Sequence, residues 1–359
     1  MRFERPLKIL YVGNVFGLSN HASYYKIPSK LVNGFIREGH FVYPLNDRDT
    51  ARYFSPLRTR KMGAGGLNKH FLGVVSSLRP DLIVMSNCEM IEDDSIHDAR
   101  NIVPSLKIVY RNVDSILEPD NRARLLRKRD VVDGIFLTTG DARIREFAGK
   151  NSFCAFMPNP LDLSIETGRA FENPDPLYDV FFAGQAIRHT KDPRAALLKR
   201  VQERLASLRL GFFGSAVEQS GLSGADFVDA IMRSRMGLSV DREDENAFYA
   251  SDRMAQFLGN GLLTIIKGGK GFERFFTEQD VLFYDTAGDL IEQVLAMARD
   301  DSRLRRRAES GWAKAHRLFD SQRVARYILD RTFARDGANE VEWADLYFEP
   351  QQQPKVEIA

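Results

Sequence analysis

Long apolar segments, clustered cysteines and net charge are all scarce in this sequence, and each shortage excludes a class of protein. The two cysteines, Cys88 and Cys154, fall in different predicted βα units, so neither a disulfide framework nor a zinc site is expected. The N-terminal residues lack the apolar core of a signal peptide, and the run at 7–12 is too short to span a membrane. We therefore expect a cytoplasmic protein.

The charge of the chain is nearly balanced, because 51 Lys and Arg face 49 Asp and Glu to give a net charge of +2. Nucleic acids are bound through a large cationic excess, so no nucleic-acid partner is expected. Small anionic substrates or an acidic membrane surface remain compatible with this charge. The hydrophobic share of 43% is that of a globular protein, and 359 residues exceed one hydrophobic core, which favours two domains.

Short apolar runs alternate with helical stretches, as in parallel sheets that are covered by helices on both faces. The runs that predict strands are 7–12, 41–45, 82–85, 107–110 and 134–137, and then 179–184, 208–213, 236–240, 262–266 and 281–284. A proline-rich stretch between the two sets cannot hold a helix or a central strand. We predict a first Rossmann-like domain over 1–156, a linker over 157–178, a second Rossmann-like domain over 179–334 with a helical C-terminal end, and a tail over 335–359.

The loop after the first predicted strand lacks the common nucleotide-binding fingerprints. Its glycines, Gly13 and Gly17, do not fit the G-x-G-x-x-G spacing of a dinucleotide-binding loop, and the chain has no G-x-x-x-x-G-K-[ST] phosphate loop. A nicotinamide-dependent dehydrogenase and a P-loop kinase therefore both lose their main support.

The most informative pattern lies at 251–272, around one predicted βα unit. Ser251 is a good N-cap for a helix on which Arg253 and Gln256, three residues apart, share one face. After the next strand, a glycine- and lysine-rich loop leads into a helix predicted to begin near Gly271, whose N-terminus would bind an anion such as a diphosphate. Alternatively, the glycines only end a helix and form a plain loop, and Arg253 pairs with Asp252 or with a surface carboxylate.

Residues 251–283 resemble the carboxyl-terminal domain of the group 1 glycosyltransferases, in particular the branch that includes spore-maturation glycosyltransferase-like proteins. The resemblance rests on Arg253, Gln256, Gly259 and Gly261 in an R-x-x-E-x-x-A-x-G-like helix, and on the segments that begin at Gly271 and Val281. It implies the GT-B fold, in which two Rossmann-like domains face a cleft. It also implies a nucleotide-diphosphate sugar as donor substrate, with no separate cofactor.

The resemblance also implies how the donor is held. Gln256 stands where the family has a glutamate that accepts hydrogen bonds from the ribose, and an amide accepts them less strongly than a carboxylate. Cations after the strand at 179–184 would neutralise the diphosphate in place of a metal, since no D-x-D motif stands in a strong context. The predicted donor-binding residues are Arg188, Lys191, Tyr249, Ser251, Asp252, Arg253, Gln256, Gly269, Lys270, Gly271 and Phe272. Arg188 and Lys191 are alternatively surface charges on an exposed loop.

The first domain is expected to supply the acceptor site and a catalytic base. The candidates are Asp114, His21 and Glu89, in that order, because each follows a predicted strand at the end where Rossmann-like folds gather functional groups. Each of these side chains is alternatively a helix cap or a structural hydrogen-bonding group.

Three functions agree with these observations. The first is transfer of a sugar from a nucleotide-diphosphate sugar to a hydroxyl of a glycan, a lipid-linked glycan or a protein. The second is a non-catalytic GT-B-like protein that binds sugar nucleotides or glycans, and the third is a sugar-nucleotide epimerase on the same two-domain plan. The basic run at 303–307 is either the solvated face of a helix or a peripheral contact with the inner face of a membrane.

Overall fold

A computed structural model describes residues 3–17, 24–186, 192–241, 246–249 and 251–351. The chain forms two compact units. The first contains residues 1–158 together with 321–359, and the second contains residues 159–320. Each unit is built around one mostly or wholly parallel sheet, in agreement with the predicted α/β class.

The first unit has a seven-stranded sheet in the order β12-β6-β5-β4-β3-β1-β2. Its strands are β1 Lys8–Gly13, β2 Phe41–Leu45, β3 Leu82–Ser86, β4 Lys107–Asn112, β5 Gly134–Leu137, β6 Phe153–Phe156 and β12 Tyr347–Phe348. Its helices are α1 Ile27–Arg37, α2 Asp47–Tyr53, α3 Ala64–Leu78, α4 Asp93–Ile102, α5 Pro119–Lys128 and α11 Ser321–Thr332. The interior strand β3 is buried along its whole length, as expected when helices cover both faces of a sheet.

The second unit has a five-stranded parallel sheet in the order β11-β10-β9-β7-β8. Its strands are β7 Tyr178–Ala183, β8 Leu210–Phe213, β9 Ser234–Ser239, β10 Leu263–Lys267 and β11 Leu282–Tyr284. Its helices are α6 Ala195–Arg204, α7 Gly224–Met232, α8 Asp252–Gly259, α9 Ala287–Ala298 and α10 Asp301–Phe319. Phe182, Leu238 and Ile265 are fully buried and place the apolar core along the middle strands.

The division of the chain differs from the predicted one at both ends of the second domain. The predicted linker at 157–178 lies mostly inside the second unit, where the Leu161 N–H donates to the Phe319 carbonyl at 2.7 Å. The second unit ends at Asp320, whereas the predicted second domain ends at 334. Asp320 leaves the helical conformation (ψ 135°) between α10 and α11, and the chain returns to the first unit at Ser321. The sequence, helical on both sides of this residue, gives no sign of the break.

Helix α11 belongs to the first unit because its apolar face packs there. A Cβ added at Gly34 of α1 would lie 2.2 Å from the Ser321 carbonyl oxygen, so the two helices approach at backbone distance. Residues 335–351 of the predicted tail at 335–359 are also part of this unit, and its last eight residues lie outside the described residues. Trp343 is fully buried, its ring lies 5.6 Å from the ring of Tyr327 in α11, and β12 pairs antiparallel with β6.

The basic run at 303–307 does not form one solvated face of α10. Arg305 donates to the carbonyls of Phe171 at 2.6 Å and Asn173 at 2.8 Å. Arg307 is buried and donates to the carbonyl of Val281 and to Glu278. These two arginines hold other segments of the second unit, so membrane contact through this run loses its support. No helix in the part of the chain that the structure describes is long and apolar enough to cross a membrane.

Candidate functional site

The second unit has a topological switch point between β7 and β9. From β7 the chain moves to β8 on one side of the sheet, and β9 then pairs with β7 on the other side. Connections that leave in opposite directions open a crevice at the carboxyl ends of the two strands, which is where open α/β sheets bind their ligands.

Arg253 of α8 lies at this crevice. Its guanidinium donates to the Ala183 carbonyl at 2.7 Å and to the Val240 carbonyl at 2.6 Å, and so joins the ends of β7 and β9. It also lies 4.8 Å over the ring of Phe182, and the residue is only 8% exposed. The predicted pairing with Asp252 or a surface carboxylate is therefore not its main contact. Ser251 occupies the N-cap position as predicted, but its hydroxyl accepts from Arg253 at 3.3 Å rather than from a helix N–H.

Sequence reasoning missed Asp241, the carboxylate beside these cations. Asp241 follows β9 and accepts a hydrogen bond from the Ser251 N–H at 3.0 Å. Removal from water raises the pKa of Asp241, and the charges of Arg253 and Lys270 oppose that rise. Lys270 itself is buried at 5% exposure. Two buried cations and one carboxylate therefore meet at the carboxyl ends of β7, β9 and β10.

The predicted helix at Gly271 is wrong. The loop leads only into a single 3-10 turn, Phe272–Arg274, which offers no helix N-terminus to an anion. The Gly269 N–H is already used, because it donates to Glu273 Oε1 at 2.5 Å. Gly271 has a φ of +87°, and a Cβ there would lie 2.7 Å from the ring of Phe248. The aromatic residues bend the chain into the core, and Phe272 packs on Phe248 with ring centroids 5.9 Å apart.

The remaining predicted donor residues on this edge are also enclosed. Gln256 is buried and its Nε2 donates to Asp252 Oδ2 at 3.2 Å, one helical turn earlier. Tyr249 is buried as well. Arg188 and Lys191 lie outside the described residues. Immediately after them, Arg194 pairs with Asp192 at 2.6 Å and donates to the Gln185 carbonyl at 2.7 Å, a contact that sequence reasoning did not foresee.

The first unit has its own switch point, between β1 and β3, and two of the three candidate bases lie on the same edge. Arg124 of α5 contacts Glu89 at 2.6 Å and Asp114 at 3.5 Å, so it brings the two carboxylates together. Asp114 also accepts from the Asn87 side chain at 2.8 Å. His21 lies outside the described residues. Sequence reasoning missed Arg124, whose only signal was its place in a helix that follows the segment of Asp114.

Sequence reasoning also missed a buried acid on this edge. Asp47, the first residue of α2, is 1% exposed and lies beside the Cys88 thiol. Burial raises the pKa of Asp47 to about 6, against the opposing charge of Arg48. Burial also raises the pKa of Cys88 well above its ordinary value, so this thiol stays protonated.

A pocket of about 610 Å³ opens close to Asp114 in the first unit. Apolar side chains from the segment after β4 and arginines from the segments after β4 and β5 share its wall, which includes Ile116, Leu117, Arg122, Arg143, Arg145 and Glu146. Arg122 pairs with Glu146 at 2.5 Å. The pocket therefore offers both apolar surface and hydrogen-bond donors. Among the described residues, no group of three His, Cys, Asp or Glu side chains is arranged to hold a metal ion.

Comparisons with known proteins agree with this architecture. Residues 188–330, less than half of the chain, match a family model described as glycosyl transferase-like. No curated protein matches the sequence. Among solved structures, HepE from Anabaena in complex with UDP and glucose is 12% identical, with a TM-score of 0.53 over 91% of this chain and 100% of its own. Sucrose-phosphate synthase from Thermosynechococcus elongatus is 12% identical, with a TM-score of 0.61 over 91% and 99%.

A third similar structure is AviGT4, a glycosyltransferase involved in avilamycin A biosynthesis, at 13% identity and a TM-score of 0.55 over 91% of this chain and 97% of its own. At such identities the structures establish the fold alone. The predicted GT-B fold is confirmed, and sugar transfer is the activity that the family match supports. The chain therefore has the GT-B fold and carries a glycosyl transferase-like region over residues 188–330.

Proposed function

We propose that the protein transfers a sugar from a nucleotide-diphosphate sugar to a hydroxyl of a glycan, a lipid-linked glycan or a protein. The observation that carries the proposal is the charge arrangement at the switch point of the second unit. There, Arg253 and Lys270 are buried beside Asp241 inside the glycosyl transferase-like region. A similar HepE structure holds UDP-glucose, which is a donor of the type proposed for this chain.

The cations would act on the leaving group. When the bond between the sugar and the diphosphate breaks, negative charge grows on the diphosphate while the sugar becomes oxocarbenium-like. Fixed positive charges in a site with little water stabilise that diphosphate strongly, because they need not reorganise during the reaction. Arg253 is fixed by two backbone carbonyls, and Lys270 lies in the loop that follows β10. In this proposal no separate cofactor or metal takes part.

The acceptor hydroxyl would be activated in the first unit. Asp114 is our first choice as base, because Asn87 and Arg124 hold its carboxylate in one orientation just after β4, on the carboxyl edge of the sheet of the first unit. The nearby pocket, with its apolar wall and arginines, is the proposed place for the acceptor. Membership of the spore-maturation-like branch and a cytoplasmic location at the inner face of a membrane remain predictions from the sequence.

Donor turnover without an acceptor tests the proposal. The purified chain is incubated with UDP-, GDP-, ADP- and dTDP-linked sugars, and the free nucleoside diphosphate and free sugar are followed by NMR. We expect slow hydrolysis of one donor, and Lys270→Met should reduce it while the exposed Lys199→Met leaves it unchanged. Lys270→Met is preferred to Arg253→Ala, since Arg253 also joins two strands and its loss would disturb the fold.

Other outcomes would contradict the proposal. Saturable binding of a nucleotide sugar with no turnover, whatever acceptor is added, would favour the non-catalytic binding protein. An epimerised nucleotide sugar, with no hydrolysis and no transfer, would favour the epimerase.

A further inference from the structure

One exposed surface of the first unit combines apolar side chains with unpaired cations. It consists of residues 53–62, from the end of α2 to the start of α3, and we call it the 53–62 surface. Tyr53 is 82% exposed, Leu57 69% and Met62 57%. Single exposed apolar residues are ordinary, but a group of them within ten residues marks an interaction site. We propose that the 53–62 surface docks the protein on a bilayer that carries anionic headgroups.

The charge around this surface is complementary to such a bilayer. Residues 50–80 contain six Lys or Arg and no Asp or Glu, although the whole chain carries a net charge of only +2. Arg58, Arg60 and Lys61 are exposed and form no ion pair with any residue that the structure describes. Anionic headgroups attract exposed cations of this kind, and each Lys or Arg near the surface raises partitioning by about fivefold.

The surface is a built turn that holds its apolar side chains away from the core. The Ser55 hydroxyl accepts from the Thr59 N–H at 3.0 Å, and the Arg58 N–H donates to the Ser55 carbonyl at 3.0 Å. At Gly63 the backbone passes close to α2, and only a glycine fits there, because a Cβ would lie 1.6 Å from the Ala51 carbonyl oxygen. Leu57 and Met62 are thus held in water by local contacts, and insertion into a bilayer would remove them from it.

The pattern favours a bilayer over a second copy of this chain. A two-fold contact between two such surfaces would bring unpaired Arg58, Arg60 and Lys61 against their own equivalents, and like charges repel. At a bilayer the same cations lie at the headgroups while their stems and the apolar side chains enter below. The proposal does not depend on the transfer reaction, because docking requires neither donor nor acceptor.

Co-sedimentation with vesicles tests the proposal. The full chain is mixed with vesicles of phosphatidylcholine alone or of phosphatidylcholine with phosphatidylglycerol. We expect binding only to the anionic vesicles, and weaker binding as salt is raised, because salt screens exposed charges. The triple variant Arg58→Gln/Arg60→Gln/Lys61→Gln should bind roughly 100-fold less tightly, from the fivefold effect of each cation. The double variant Leu57→Ser/Met62→Ser should also lose binding.

Matched controls come from the second unit. Arg299→Gln/Arg303→Gln/Arg317→Gln removes three exposed cations, and Leu163→Ser/Leu177→Ser removes two exposed leucines. Both controls should bind like the wild type. Tryptophan fluorescence, from Trp343 in the first unit and Trp312 in the second, shows whether each variant is folded. Failure of the wild type to bind anionic vesicles would overturn the proposal. An equal loss of vesicle binding in the test and control variants would also overturn it. A third contradicting outcome is self-association of the wild type that disappears only in Leu57→Ser/Met62→Ser, with no binding to vesicles.

Discussion

Asp47→Asn should make the first unit less sensitive to pH. Asp47 is buried beside Cys88, and its pKa of about 6 compares with an ordinary value of 3.8. The folded state holds this proton more tightly than the unfolded chain does. Asp47 therefore destabilises the fold least below about pH 4, and its destabilising effect grows as the pH rises toward the pKa of the folded state. Above about pH 6 the ionised, buried carboxylate lowers the free energy of unfolding by about 3 kcal/mol, at 1.36 kcal/mol per unit of pKa.

The pH dependence is the informative quantity, because an asparagine amide at this site brings its own packing and hydrogen-bond costs. Those costs are the same at every pH, whereas the ionisation of Asp47 is not. The difference in unfolding free energy between Asp47→Asn and wild type should therefore rise by about 3 kcal/mol in favour of the variant from about pH 4 to about pH 7.

Fluorescence-detected urea unfolding can follow the first unit alone. The chain has two tryptophans, Trp343 in the first unit and Trp312 in the second. In a Trp312→Phe background, Trp343 reports only on the first unit. The exposed Asp98→Asn on α4 serves as the background control. A difference between Asp47→Asn and wild type that stays constant over this pH range would refute the account of Asp47.

Three further predictions concern other contacts. Gly34→Ala should destabilise the first unit by about 1–3 kcal/mol, because the new Cβ would lie 2.2 Å from the Ser321 carbonyl oxygen. Gly65→Ala should not destabilise it, because nothing lies within 4 Å of a Cβ at that position. Equal effects of the two variants in the Trp343 assay would contradict this prediction. Arg124→Met should lower the kcat of transfer at least tenfold, because it releases the carboxylates of Asp114 and Glu89. Arg127→Met, which changes an exposed residue of the same helix, should leave kcat unchanged. An unaltered kcat in Arg124→Met would contradict the proposal that Asp114 is a base held in position by Arg124. Gln256→Glu should lower the unfolding free energy of the second unit by about 1 kcal/mol, because it places a second carboxylate beside Asp252; Trp312 fluorescence follows this unfolding. The double variant Asp252→Asn/Gln256→Glu should recover the lost stability. Additive losses in the double variant would argue against repulsion between the two carboxylates.

The periodicity of apolar residues predicted the architecture because buried parallel strands need continuous apolar runs. All ten predicted strands are present, with both ends of each within two residues of the prediction. Two strands were not predicted. The short apolar run Phe153–Phe156, which forms β6, was not recognised as a strand, and the two residues of the antiparallel strand β12 carry no periodicity. The return of the chain at Ser321 was not predicted either, because nothing in a helical sequence tells which sheet its apolar face will cover.

The site was predicted less completely, for a different physical reason. Sequence identified Arg253 and Lys270 as cations at the end of a βα unit, and the structure brings both to the carboxyl edge. It did not identify Asp241 or Arg124, whose roles depend on contacts between distant segments. A helix was predicted to begin near Gly271, but the packing of Phe272 and Phe275 on Phe248 bends the chain instead.

The central claim is that buried cations at the switch point of the second unit bind the diphosphate of a nucleotide sugar. Isothermal titration calorimetry of nucleoside diphosphates against wild type and Lys270→Met tests it most directly. The account predicts saturable binding of at least one nucleoside diphosphate to the wild type and a loss of roughly 10–100-fold in Lys270→Met, the effect of removing one charge-assisted contact. Absence of binding to the wild type, or equal affinity in a folded Lys270→Met variant, would contradict it.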